Sequence, residues 1–142
     1  MKFLASFLIL VILAITNSMT AQNKSTDTKE ITVTVLNATS DAGKIGFALY
    51  TKDNFMRKPL LSKEGKIKYG KSTVIFENIP AGEYAIICYH DKNNNNKMDF
   101  SSNRMPLEDY GASNNVMAFA PPTFENAKFL LKNKNLHLDI NF

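Results

Sequence analysis

Eight consecutive residues, Glu83-Tyr84-Ala85-Ile86-Ile87-Cys88-Tyr89-His90, are largely apolar on both faces of a two-residue period. A strand that is apolar on both sides has to sit inside a sheet and beneath a second layer. The segment is bounded before by Asn78-Ile79-Pro80-Ala81-Gly82, where Pro fixes one φ and Gly permits a positive one. It is bounded after by Asp91 and the run Asn93 to Asn96. Between such breakers there is room for a strand and not for a core helix. The chain therefore has to build a layered β structure around this segment.

Other segments agree. Ile31-Thr32-Val33-Thr34-Val35-Leu36 alternates β-branched apolar residues with Thr, the pattern of a half-buried strand. Lys44 to Thr51 places Ile45, Phe47 and Leu49 on one face, with Gly46 and Ala48 opposite, implying close packing or a bulge. In Ser72 to Phe76, Val74 and Phe76 point one way and Thr73 and Ile75 the other. Leu136, Leu138 and Ile140 give a last strand. Phe55 reads as an anchor in an irregular stretch, and Ala118-Phe119 as a short strand. Phe124 to Leu131 fits neither the helical nor the strand period. The pattern predicts an all-β fold, a single antiparallel β-sandwich of about seven strands with no helix in the mature domain.

The first residues belong to a different regime. Lys2 followed by the apolar stretch Phe3 to Ile15 has the form of a secretory signal peptide, too short to span a bilayer comfortably. Ala21 is the expected last residue before cleavage, although Met19 departs from a small-x-small site. The expected organisation is a signal peptide at 1–21, a flexible tail at 22–29 and one sandwich domain at 30–142. The mature protein is then secreted or periplasmic and not membrane-spanning. Cys88 is the single cysteine, so no internal disulfide forms despite export. The formal net charge is +4, and the lysines are scattered, with Glu64 interrupting the group Lys63, Lys66, Lys68 and Lys71. That patterning argues for a solvated face and against nucleic-acid binding. Asn37-Ala38-Thr39 fits an N-glycosylation acceptor, relevant only in a eukaryotic secretory pathway.

The chemistry-bearing stretch is His90 to Asp99. Asp91, Asn93, Asn95, Lys97 and Asp99 stand at relative positions 1, 3, 5, 7 and 9, the ligand order of EF-hand-type loops. Position 7 supplies a backbone carbonyl in such loops, so Lys97 is compatible. Position 6 is Asn96, the non-glycine residue best suited to left-handed geometry. Position 12 is Ser102 in place of an acid, and Glu108 or Asp109 is the available replacement. Asn-rich hairpins form without metal, but turn chemistry does not call for acids at both ends of the run. The register predicts Ca²⁺ of modest affinity, suited to extracellular concentrations.

Other chemistries fare worse. Cys88 and His90 lie two apart on one strand, too far for a nucleophile–base pair. Two histidines, His90 and His137, with one cysteine make a poor zinc set. The acid pairs Asp91/Asp99 and Glu108/Asp109 could form a hydrolytic dyad, but the chain has no Trp and its aromatics look like core. Tyr110 and Phe119 are the candidate contacts for a glycan or peptide.

Four ordered motifs carry a resemblance. They are Phe76-Glu77-Asn78-Ile79-Pro80-Ala81-Gly82-Glu83-Tyr84-Ala85, the His90 to Asp99 loop, Pro106-x-Glu108-x-Tyr110-Gly111-x-Ser113-Asn114, and Pro121-Pro122-Thr123-Phe124-x-x-Ala127. Over roughly residues 31 to 142 the chain resembles the bacterial DUF2141 family of small exported proteins of unknown function. The turn Ile79 to Tyr84 is also similar to one in transthyretin-like and carboxypeptidase-regulatory-like sandwiches. The family resemblance implies that the segment Pro106 to Phe124 works with the Asp91 loop. It makes Glu108 the preferred distal ligand and Ser113 or Asn114 a loop lock. The reading is a non-enzymatic, Ca²⁺-stabilised, monomeric binding or accessory module of the cell envelope, with an envelope protein, peptide or glycan as partner. A metal- or carboxylate-dependent hydrolase is one alternative. A structural domain or carrier of a small hydrophobic ligand, held between the sheets, is the other.

Overall fold

A computed structural model describes residues 27–116 and 120–142. Its strands in chain order are β1 (Thr28–Val35), β2 (Lys44–Tyr50), β3 (Leu61–Gly65), β4 (Ser72–Pro80), β5 (Gly82–Asp91), β6 (Tyr110–Ala112), β7 (Phe129–Leu131) and β8 (Leu136–Ile140). A single helical turn, α1 (Phe124–Ala127), precedes β7. The signal peptide, most of the predicted tail and the Ala118-Phe119 strand lie outside the described residues. The tail expectation ends early, because β1 already begins at Thr28 and pairs Thr28 with Pro80.

Two sheets form the sandwich. One has the order β4-β1-β8, the other β3-β2-β5-β6, with β7 also paired to β5. The β1–β8 ladder is parallel, and the others are antiparallel. β5 is central, as its two apolar faces require. β2 runs along one side from Tyr50↔Ala85 to Lys44↔Asp91, while β7 and β6 share the other side in succession.

The alternation read from the sequence becomes the core. Ile31, Val33 and Val35 of β1 meet Ile45, Phe47 and Leu49 of β2, with Phe76, Ile86, Cys88 and Ile140 completing the layer. All ten are at most 1 % exposed. At about 25 cal/mol per Å² of apolar surface, this burial is the main stabilising term. The space between the sheets is filled by these side chains.

The outer face of the five-stranded sheet carries a second, smaller cluster of Ala85, Phe124 and Ala127. Phe55 is its anchor, edge-on to Tyr50 at 5.6 Å and to Phe124 at 5.7 Å between ring centroids. The absence of helix expected from the sequence needs one correction. Phe124 to Leu131 fits no single period because it is two elements, one helical turn followed by a strand. Thr123 caps the turn, its Oγ1 accepting the Asn126 N–H at 3.3 Å. β3 is a further strand that periodicity did not reveal. It is an edge strand with four of five residues exposed, and charged edges carry no apolar alternation.

Candidate functional site

The Asp91–Asp99 loop leaves the end of β5, where burial and charge collide. Asp91 is fully buried, a state that costs heavily unless the carboxylate is hydrogen-bonded. The loop supplies the donors itself. Asn95 N–H donates to Asp91 Oδ1 at 3.0 Å and Asn96 N–H to Oδ2 at 2.9 Å. Asn93 Oδ1 accepts the Asn95 N–H at 3.1 Å, and Asn95 Oδ1 accepts the Lys97 N–H at 3.0 Å. Asn94 and Asn96 take left-handed backbone, at φ 59° and 65°. Asn tolerates that region best among residues with a Cβ, which explains the Asn run at this curvature.

Asp99 closes the loop from the other side. Asn93 Nδ2 donates to Asp99 Oδ2 at 2.7 Å, and Asn95 Nδ2 donates to both Asp99 oxygens at 2.9 and 2.8 Å. Glu108 then ties the ends together. Its Oε1 accepts the Lys92 N–H at 2.9 Å and its Oε2 the Asp99 N–H at 3.1 Å. Glu108 is 7 % exposed, so this bridge is largely shielded from water. Of the two acids left open by spacing, Glu108 bridges the two ends of the loop through backbone N–H groups, whereas Asp109 meets it only through the Lys92 ammonium.

Asp109 turns to a separate network. Thr39 Oγ1 donates to its Oδ2 at 2.7 Å, and Lys92 Nζ lies 2.9 Å away. The Thr39 hydrogen bond first, then Lys92, holds its carboxyl below the ordinary range. Behind it, fully buried His90 donates from Nε2 to the Ala42 carbonyl at 2.7 Å. That bond fixes the tautomer and leaves Nδ1 without a hydrogen-bond partner, 4.0 Å from Asp109 Oδ2.

Lys44 is the site residue that sequence reasoning passed over. Its Nζ lies 2.8 Å from Glu64, contacts Asn96 Oδ1, and stands 4.0 Å from Asp91 Oδ2. The signal was the β2–β5 pairing of Lys44 with Asp91, which no local pattern reveals. Lys97 enters through its backbone, and its N–H supports Asn95. Thus Asp91, Asn93, Asn95, Asp99 and Glu108 form one connected cluster of oxygens and amides. Among the described residues, no group of three or more His, Cys, Asp or Glu side chains is disposed to hold a metal ion. The cluster is mixed, with amides between its acids.

The segment after Glu108 is held by side chains in place of regular structure. Ser113, 1 % exposed, accepts the Ile86 N–H at 3.0 Å and donates to the Ala127 carbonyl. Asn114 Nδ2 donates to the carbonyls of Asn126 and Lys128 at 3.0 and 2.8 Å. Asn115 Nδ2 donates to the Asp139 carbonyl at 2.9 Å, and its Oδ1 accepts the Asn141 N–H at 2.8 Å. Both Ser113 and Asn114 therefore lock the loop against β5, α1 and the residue after it. Cys88 faces the core, and burial pushes its thiol far above the ordinary range, which removes the thiolate that nucleophilic chemistry needs. Among the described residues, no helix is long and apolar enough to cross a membrane.

Residues 33–139 match the model of a family described as "Uncharacterized protein conserved in bacteria (DUF2141)". No curated protein matches the chain. No solved structure matches it either.

Proposed function

We propose that this chain, which belongs to that bacterial family of uncharacterised proteins, is an exported, non-enzymatic binding module whose end loops are clasped by calcium. The observation that carries the reading is the Glu108 bridge, which joins both ends of an Asp/Asn loop already in EF-hand register. Side-chain oxygens of Asp91, Asn93, Asn95, Asp99 and Glu108, with the Lys97 carbonyl, make up about the six ligands that Ca²⁺ takes as a minimum. An amide carries a donor and an acceptor on one planar group, so Asn93 and Asn95 can offer oxygen as readily as nitrogen. Apart from Asp99 Oδ2, which accepts from both Asn93 and Asn95, each carboxylate oxygen of the cluster keeps a second lone pair beyond the hydrogen bond it accepts. The bound ion would offset two of the three carboxylate charges of Asp91, Asp99 and Glu108 and hold the 99–108 segment against β5. Export rests on the Lys2 and Phe3–Ile15 pattern.

Thermal unfolding with excess Ca²⁺ and with chelator tests the clasp. Ca²⁺ at about a hundred times Kd adds about 2.7 kcal/mol, a rise of several degrees in Tm. The Asp99→Ala variant should lose that rise while remaining folded. A wild-type melt that Ca²⁺ leaves unmoved sinks the clasp. Cell fractionation, with mass spectrometry of the mature N-terminus, tests export; an intact Met1 in the cytoplasm would refute it.

A further inference from the structure

The 99–107 segment that Glu108 anchors forms one wall of a cavity of about 640 Å³ on the outer face of the five-stranded sheet. Its floor is Tyr50, Ile87, Tyr89 and Tyr110, one or more from each of β2, β5 and β6. The wall is a small hairpin closed by the Phe100↔Pro106 bridge and by the Leu107 N–H to the Asp99 carbonyl at 2.9 Å. It presents Phe100 and Met105 to the cavity, which Met98, just before the hairpin, and Met56 line as well. Met56, Phe100 and Met105 are each more than half exposed. Such a volume fits one small ligand, and thioether side chains adapt to flexible apolar partners.

Two observations specify the ligand. Among the described residues lining the cavity, Arg104 is the one charged side chain. Arg104 also sits in left-handed backbone, φ 62°, at the hairpin turn. Among the described residues, five of the eight non-glycine residues in that region are Asn, and two of the other three, Met56 and Arg104, line this cavity. Asn would suit the turn better, so the conformation does not account for Arg; backbone strain of this kind gathers at ligand sites.

We infer that the cavity binds a single-chain anionic amphiphile, its apolar tail on the Tyr and Met surface and its carboxylate or similar head on Arg104. The inference rests on the binding-module reading above and names that module's ligand. The Asp91–Asp99 clasp positions the wall, and the groove does the binding.

Isothermal titration of the purified protein with monomeric dodecanoate, with dodecyltrimethylammonium as the cation of equal chain length, tests it. Dodecanoate should bind about tenfold or more tightly than the cation, the scale of one charge-assisted contact. Arg104→Gln should abolish that preference and leave the melt unchanged. Met105→Asp, at an exposed position, should weaken the binding of dodecanoate. Equal binding of the two head groups, no binding, or affinity only for vesicles of anionic lipid overturns the inference. So does a sedimentation profile showing that a second copy of the chain covers the groove. If dodecanoate fails while Ca²⁺ still raises Tm, the amphiphile falls and the calcium clasp stands. If dodecanoate binds through Arg104 while Ca²⁺ has no effect, the clasp falls and the groove stands.

Discussion

Glu108 Oε2 accepts the backbone N–H of Asp99 at 3.1 Å, across nine residues of chain, while its Oε1 holds Lys92. A carboxylate accepting two shielded N–H groups is a strong crosslink, and its removal leaves both donors unmet. Glu108→Ala should therefore cost about 2–4 kcal/mol in denaturant unfolding. Glu108→Gln keeps one acceptor oxygen and should cost less. Equal losses for the two variants would count against the bridge.

Ser113 gives the matching test one strand away. Its hydroxyl sits between the Ile86 N–H and the Ala127 carbonyl at 1 % exposure. Ser113→Ala leaves both backbone groups short of a partner and should cost about 1–3 kcal/mol. Ser102→Ala, exposed on the hairpin turn, should stay within about 0.5 kcal/mol. If the two variants unfold alike, Ser113 is not a lock.

These residues show how far local pattern reaches. Period-two alternation in β1, β2, β4 and β8 was visible because each has one face on the core. β5 was visible because both of its faces are apolar. β6 was not, since three residues held by Ser113 and Asn114 carry no period of their own. β3 was hidden by its exposed edge. The loop register could be read from Asp91 to Asp99, because a curved loop repeats at alternate residues. Spacing alone left Glu108 and Asp109 equivalent; the backbone N–H groups of Lys92 and Asp99 on one, against the Thr39 hydroxyl and the Lys92 ammonium on the other, separate them. Lys44 reached the site through sheet register, which depends on the whole fold. The apolar cavity could not be foreseen for the same reason: its lining comes from three strands and three loops.

Gly46 faces the ring of Tyr89 across β2 and β5, and a Cβ on Gly46 would stand 2.6 Å from Tyr89 Cε1. The sequence pattern called for close packing here, and the ring supplies it. Gly46→Val should destabilise by about 1–3 kcal/mol through overpacking. Paired with Tyr89→Ala, the valine should cost much less, and a double-mutant cycle measures the difference. Additive effects would show that the ring is not what excludes the side chain.

Cys88 is fully buried, and desolvation raises its thiol pKa. The native protein should resist alkylation at pH 8 and react only on unfolding, read by mass spectrometry across a denaturant series. Labelling of the native chain at the rate of a free thiol would contradict its burial.

Asp109 sets an acid limb to stability. Its carboxyl is held below the ordinary range by Thr39 first and by Lys92. A depressed folded-state pKa means the unfolded chain takes up a proton at higher pH than the folded one. The contribution is therefore present above the unfolded value of about 3.9, and is lost as pH falls through the lower folded value. Thr39→Val and Lys92→Met each remove a cause of the depression. Both variants should be less stable than wild type at pH 6, and the gap should close as pH drops below about 4. Asp41, whose carboxyl is lowered by the Gly70 and Tyr69 N–H groups, adds to the same limb equally in all three proteins. Its effect cancels when the curves are subtracted. A gap that stays constant from pH 6 to pH 3 would assign the loss to packing and not to the ionised carboxylate.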